Sequence, residues 1–295
     1  MIYFIHSQFG SKFQKSSINL LIKIAKKLKK KFKIIIIDQL SKKNFQLADN
    51  INSIPSNHEY REFGNWESGL IYLRDKKPNL YNSQQFEGLV VSNDSVLQHR
   101  PFDIAKLDSF IEGVKSSISQ KIPTLFGDVS EIKSSPPYFN ESRVSKYVST
   151  YIFFFNKTGF KLLKSFINKN VDKIFCKNNV NNSVLSNIGL VNNSKNYYQY
   201  LERWLYKKNL YDKWYLHQAL NHKNFDFLKL KFKSIVLEHY LSQSFVEKKG
   251  VLLDWNKFYK RDAFYYKINF YIKTINYEIF SIYKYTLFKF LNYFK

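Results

Sequence analysis

The run EGLVVSNDSVLQ, residues 87–98, sets one carboxylate between an amide and a hydroxyl, Asn93-Asp94-Ser95, at the end of an apolar stretch. Hard oxygen donors of this kind suit a divalent cation, manganese or magnesium, that holds a diphosphate, and they also accept hydrogen bonds from sugar hydroxyls. The same three residues make an ordinary polar cap to a buried strand. Upstream, Gly64 and Gly69 flank Trp66 in YREFGNWESGL. Glycine lets a backbone approach a ligand, but this spacing is not a phosphate-cradling fingerprint, and a turn with packing explains it too. His217 and His222 stand five apart. They do not share a helix face, so a zinc-hydrolase pattern is excluded.

These groups need elements to hold them. Ile2 to Ile5 reads as a short strand, followed by a helix over Ser16 to Lys31 whose apolar positions Ile18, Leu21, Ile22, Ala25 and Leu28 recur at spacings of three and four. Phe32 to Gln39 contains four consecutive isoleucines, β-branched and too few for a helix of their own, and reads as a buried strand. A helix from about Asn65 and a strand over Phe86 to Ser92 come next. The alternation predicts an α/β fold with a doubly wound, mainly parallel sheet, in which ligands bind outside the carboxyl ends of the strands. Asn93-Asp94-Ser95 lies at such an end.

Composition narrows the class. A chain of 295 residues with 44% hydrophobic and 18% aromatic content can bury a substantial core. Its single cysteine, Cys176, forms no internal disulfide and offers no Cys-based metal framework, as suits a reducing compartment. The opening MIYFIHSQFG reads as a first strand rather than a signal peptide, so the expected location is cytoplasmic. A net charge of +24 asks for anionic company, although the accompanying Asn, Ile, Tyr and Phe bias is also what an AT-rich genome produces. No helix-turn-helix, zinc-knuckle or RNA-recognition pattern is present, which argues against nucleic acid as the partner.

YREFGNWESGL followed by GLVVSNDSVLQHRPFD resembles, in order and spacing, the rhamnan-synthesis F family of bacterial glycosyltransferases. Phe126-Gly127-Asp128, KYVSTYIFFFNKTGF and LHQALNHKNFDFLKLKF resemble later segments of that family, the last as a helix leading into a strand. The resemblance covers roughly residues 1 to 240. The chain departs from the family pattern at Glu62, Phe126, Asp128-Val129-Ser130 and Tyr147-Val148-Ser149-Thr150. The resemblance implies a GT-A type, nucleotide-sugar-dependent transferase that builds a rhamnose-containing or related surface polysaccharide on a lipid-linked or polysaccharide acceptor.

Glycosyl transfer develops negative charge on the departing diphosphate and requires the acceptor hydroxyl to lose a proton. Under that reading Arg61 and Arg100 (beside His99) are the cations for the phosphates, and Asp128 or Glu131 is the base. His6, Ser7, Gly64, Trp66, Asn93, Asp94 and Ser95 line the donor site, with Asp94 as the one candidate metal ligand. A non-catalytic scaffold in a polysaccharide-assembly complex is the alternative, with a nucleic-acid-binding protein behind it.

The expected division is a transferase domain over 1–245 and a helical basic, aromatic segment over 246–295. From Asn256 onward the chain is rich in Tyr, Phe and Lys, with charges interrupting every window long enough to span a bilayer. Such a segment suits the interface of an anionic membrane, on the inner face of the plasma membrane, as well as packing on the catalytic domain or a partner.

Overall fold

The computed structural model describes residues 1–10, 14–38, 43–56, 60–97, 102–132, 138–139, 142–143, 145–168 and 225–258. Its strands and helices alternate from the start: β1 (Ile2–Gln8), α1 (Gln14–Leu28), β2 (Phe32–Asp38), β3 (Phe45–Ala48), β4 (Ile51–Pro55), α2 (Arg61–Lys76), β5 (Gly88–Asn93), α3 (Ile104–Ser119) and β6 (Thr124–Glu131). A small pair β7 (Tyr138–Phe139) and β8 (Ser142–Arg143) precedes β9 (Lys146–Asn156) and α4 (Lys157–Leu162). The described chain closes with α5 (Phe225–Glu247) and β10 (Val251–Asp254).

Eight strands form one sheet in the order β10-β6-β9-β5-β1-β2-β4-β3. β9 runs antiparallel between β5 and β6, and β3 runs antiparallel on the far edge. The other six strands are parallel, so the protein is an α/β fold with a mixed, mainly parallel sheet flanked by helices, compatible with a Rossmann-like architecture.

Alternation along the strands separates two cores. Tyr3, Ile5, Ile35, Ile37, Leu89, Val91, Phe153 and Phe155 face α2, α4 and α5. Ile2, Phe4, Ile34, Ile36, Val90, Phe126, Ile152 and Phe154 face α1, α3 and the short helix Trp255–Phe258. Both faces of the isoleucine run in β2 are therefore covered, which is why its pattern is continuous rather than alternating. α1 buries Leu20, Leu21, Ile24, Ala25 and Leu28, while Ile18 and Ile22 flank this stripe half-buried. Lys29, at φ 54°, ends the helix in the left-handed conformation.

Two expectations need correction. Helix α2 begins at Arg61, four residues before Asn65, because its apolar stripe already starts at Phe63 and continues through Trp66, Leu70 and Leu73. The segment Phe225–Phe232 is helical and opens α5 instead of forming a strand. α5 runs through residue 245 to Glu247, and β10 beyond it pairs in parallel with β6. Trp255, buried against Phe110 and Phe102, fastens this last strand to the core. The rest of the expected C-terminal segment, 259–295, lies outside the described residues. Among the described residues no helix is long and apolar enough to cross a membrane.

Candidate functional site

β1 and β5 are adjacent and parallel, yet the chain leaves them in opposite directions across the sheet, from β1 to β2 on one side and from β5 toward β6 on the other. Such a switch of direction opens a crevice at the carboxyl ends of the two strands. Asp94, the residue after β5, stands there and accepts a hydrogen bond from the backbone N–H of Phe9, just beyond β1, at 3.0 Å. It is 5% exposed. Burial pushes its carboxyl above the usual carboxylate range, and nearby Glu62 adds to this, outweighing the Phe9 N–H and the Arg61 guanidinium.

Asn93 is committed to local structure. Its Oδ1 accepts the Ser95 N–H at 3.1 Å and the Ser95 hydroxyl, a turn that fixes the backbone entering Asp94. Its Nδ2 donates to the carbonyl of Thr150 on β9 at 3.2 Å.

On the α2 and α5 side, Arg61 opens α2 at φ 52°, a left-handed position for a residue with a side chain. Its guanidinium lies 5.0 Å from the ring centre of Phe227, and its Nε is 3.8 Å from Glu62 Oε2. Glu62 accepts the Ser234 hydroxyl at 2.5 Å. Burial alone would raise the Glu62 carboxyl, but Lys231, Arg61 and the Ser234 bond hold it below its ordinary value. One turn along α5, Glu238 accepts both the backbone N–H and the hydroxyl of Thr150, at 2.6 and 2.9 Å. Burial carries Glu238 up to about 7, against Lys231 and the two Thr150 bonds, with the charge of Glu62 adding to the rise. Lys231, Ser234 and Glu238 share one face of α5 by their three- and four-residue spacing. That spacing is visible in KFKSIVLEHY, and it is the signal a strand reading of the preceding residues conceals.

Several expected donor contacts take other roles. His6 is fully buried with its Nδ1 3.0 Å from Ser92 Oγ, and burial pushes its imidazole down to about 4. Ser7, also fully buried, accepts from Asn65 Nδ2 at 2.7 Å. Both belong to the interior of β1, which runs to Gln8 and carries them below the surface. Trp66 is 0% exposed, packed edge-on against Phe63 and Phe153, with its Nε1–H donating to the Ser92 carbonyl at 2.8 Å. It braces the end of β5 and offers no face for stacking. Full burial of side chains of this size contributes about 1.5–3 kcal/mol each. Gly64 lies in the first turn of α2, its N–H reaching the Tyr60 carbonyl at 3.4 Å. Gly69 is there for packing: a Cβ would come within 2.6 Å of Ile5 Cγ2 and 2.9 Å of Ile37 Cδ1. His99 and Arg100 lie outside the described residues, as do His217, His222 and Cys176.

The two expected bases differ. Asp128 is 3% exposed and accepts the Tyr151 hydroxyl at 2.8 Å, on the β9 residue next to Thr150. Glu131 pairs with Lys146 at 3.2 Å, both more than half exposed. Lys146 precedes Tyr151 by five positions, so Glu131 stands about 16 Å farther along β9 at about 3.3 Å per residue. The structure therefore does not bring Glu131 to Asp94.

Among the described residues no group of three His, Cys, Asp or Glu side chains is placed to hold a metal ion. With Asn93 Oδ1 taken by Ser95 and Asp94 bonded to Phe9, the residues present do not fit a divalent cation. A cavity of about 470 Å³ opens by the starts of β1 and β2, around Lys33 and Lys77, and one of about 560 Å³ opens between the end of α2 and α4, around Arg74 and Lys161. The charged side chains lining them are basic, with Asp75 the one acid, lining the second. Compared with known proteins, the chain matches no protein-family model and no curated sequence.

Proposed function

We propose that this protein is a nucleotide-sugar-dependent glycosyltransferase of GT-A type, transferring rhamnose or a related sugar to a growing surface polysaccharide. The observation that supports the reading is the placement of Asp94 at the switch point between β1 and β5, bonded to the Phe9 N–H and within electrostatic reach of Arg61. Open α/β sheets take their ligands at this position. In the proposed reaction Asp94 contacts the donor sugar, and Arg61 balances charge that gathers on the leaving diphosphate. The acceptor is lipid-linked or polysaccharide, and the protein works at the cytoplasmic leaflet, held reversibly by its basic and aromatic C-terminal residues.

The deciding experiment is a calorimetric titration of the full chain against UDP-glucose, GDP-mannose, dTDP-rhamnose and the free nucleoside diphosphates. Saturable binding of one nucleotide-sugar, lost in Asp94→Ala, is expected. A chain that binds none of them is a non-catalytic member of an assembly complex, and the transferase reading is then wrong.

A further inference from the structure

The transferase reading leaves unassigned the group that removes the acceptor proton, and the mixed-charge cluster between α2, β9 and α5 supplies one. We propose that Glu238 is the general base of this site, with Thr150 as its positioning residue. The inference rests on the transferase reading and goes beyond the strand-end acids.

Three observations carry it. First, Glu238 is tied to the strand-end site through protein groups alone: its Oε1 takes both donors of Thr150, and the Thr150 carbonyl takes Asn93 Nδ2, next to Asp94. The last register pair of β5 with β9 is Ser92 with Ile152, so Thr150 lies two positions beyond, at the level of Asp94. Second, both Thr150 bonds fall on one oxygen, leaving Oε2 without a hydrogen bond among the described residues. A carboxylate anchored by one oxygen and open at the other can receive a proton from a bound hydroxyl. Third, the charges facing it sort the neighbouring acids into different states. Glu62, on α2, is held ionised by Lys231 and Arg61, whereas Glu238 titrates near neutrality. Acids whose environments drive them apart in this way mark acid–base sites. Among the described residues the charged groups facing Glu238 are Lys231 on its own helix and Glu62 on α2; Thr150 on β9 is neutral, and neighbouring His239 turns instead to the Tyr147 ring, 4.4 Å away.

The step balances simply. The acceptor oxygen forms a bond to the anomeric carbon, and its proton passes to Glu238 Oε2. The bond from that carbon to the diphosphate oxygen breaks, and its electron pair leaves with the diphosphate. With water in place of the acceptor, the same step releases nucleoside diphosphate and free sugar.

The test uses the full chain with the nucleotide-sugar that the wild type binds, reading donor affinity and diphosphate release from pH 5 to 9. Glu238→Gln keeps an oxygen for both Thr150 donors, so the variant is expected to fold and to bind donor as the wild type does, with release at least about 100-fold slower. The wild-type rate is expected to rise with pH through about 7. Thr150→Val removes one bond to the ionised form and moves that limb to higher pH, an effect that loss of packing alone does not produce. Donor binding with an unchanged rate in Glu238→Gln overturns the assignment of the base. So does a wild-type rate that shows no rise through neutrality. A wild type that binds no donor overturns the transferase reading itself.

Discussion

The Asp94 carboxyl accepts the N–H of Phe9 at 3.0 Å, so the ends of β5 and β1, 85 residues apart in sequence, are fixed to each other by one buried side chain. Asp94→Ala therefore removes a strand-end contact together with the candidate donor contact. It is expected to lower diphosphate release by about 100-fold or more and to cost about 1.5–3 kcal/mol in urea unfolding, as loss of a hydrogen bond to a charged group does. Asp94→Asn, which still accepts from Phe9, recovers most of the stability and little of the rate. Wild-type turnover in the alanine variant refutes the assignment.

The two other acids separate by placement. Glu131→Gln, exposed and paired only with Lys146, is expected to leave the rate within about twofold, since surface pairs of this kind carry about 0–1 kcal/mol. Asp128→Asn keeps an acceptor for Tyr151 and is expected to leave the neutral-pH limb in place. If that limb disappears in Asp128→Asn while donor still binds, Asp128 is the base.

Stability should report on Glu238 independently of any substrate. Its folded-state value of about 7 lies above its ordinary 4.5, so its contribution is complete below about 4.5 and is lost as pH rises through 7. At 1.36 kcal/mol per pH unit, Glu238→Gln is expected to be up to about 3 kcal/mol more stable than the wild type at pH 8, with no such gain at pH 4.5. Urea midpoints at the two pH values check it, and equal differences at both would show that the residue carries no such burden.

His6 works in the opposite sense. Its value is depressed from 6.5 to about 4, so its contribution is present above 6.5 and disappears as pH falls through 4. His6→Leu is expected to flatten the acid side of the stability profile by about 1.4 kcal/mol per pH unit within that window, whatever constant cost follows from leaving Ser92 without its partner. A slope identical to the wild type would mean that His6 titrates normally.

Gly69→Ala forces a methyl group against Ile5 and Ile37, both fully or nearly fully buried in the centre of the sheet. Overpacking of this kind is expected to cost about 1–3 kcal/mol, measurable as a lower urea midpoint. Unchanged stability would mean that α2 shifts freely on the sheet.

In the first hundred residues β1, α1, β2 and β5 are legible because each carries a clean period: three and four in α1, an uninterrupted β-branched run in β2, and an apolar run ended by polar residues in β5. The short strands β3 and β4 lie in a stretch rich in Asn and Ser and go unread. Asp94 could be placed from those periods alone. The IFFF stretch of β9 announces a buried strand, but nothing local tells that it inserts antiparallel between β5 and β6, because partner and direction are set by tertiary packing. Polar residues near strand ends mislead for a related reason. Where β1 runs three residues past Ile5, His6 and Ser7 pass from apparent rim to interior. Glu238 was hidden because the residues before it read as a strand, and only a helix places Lys231, Ser234 and Glu238 side by side.

β9 also governs the order in which this chain can become a folded protein. As it leaves the ribosome, β1, β2, β4 and β5 can assemble with α1 and α2, but β6 must then wait for the chain through Asn156 before it gains its neighbour. During that interval the apolar edges around Val90, Val91, Leu125 and Phe126 are both unpaired, and unpaired strand edges are templates for other chains. Nascent chains stalled between β6 and β9 should therefore be the ones that most need a chaperone, and the strand that joins β6 to β5 is also the strand that carries Thr150 into the site.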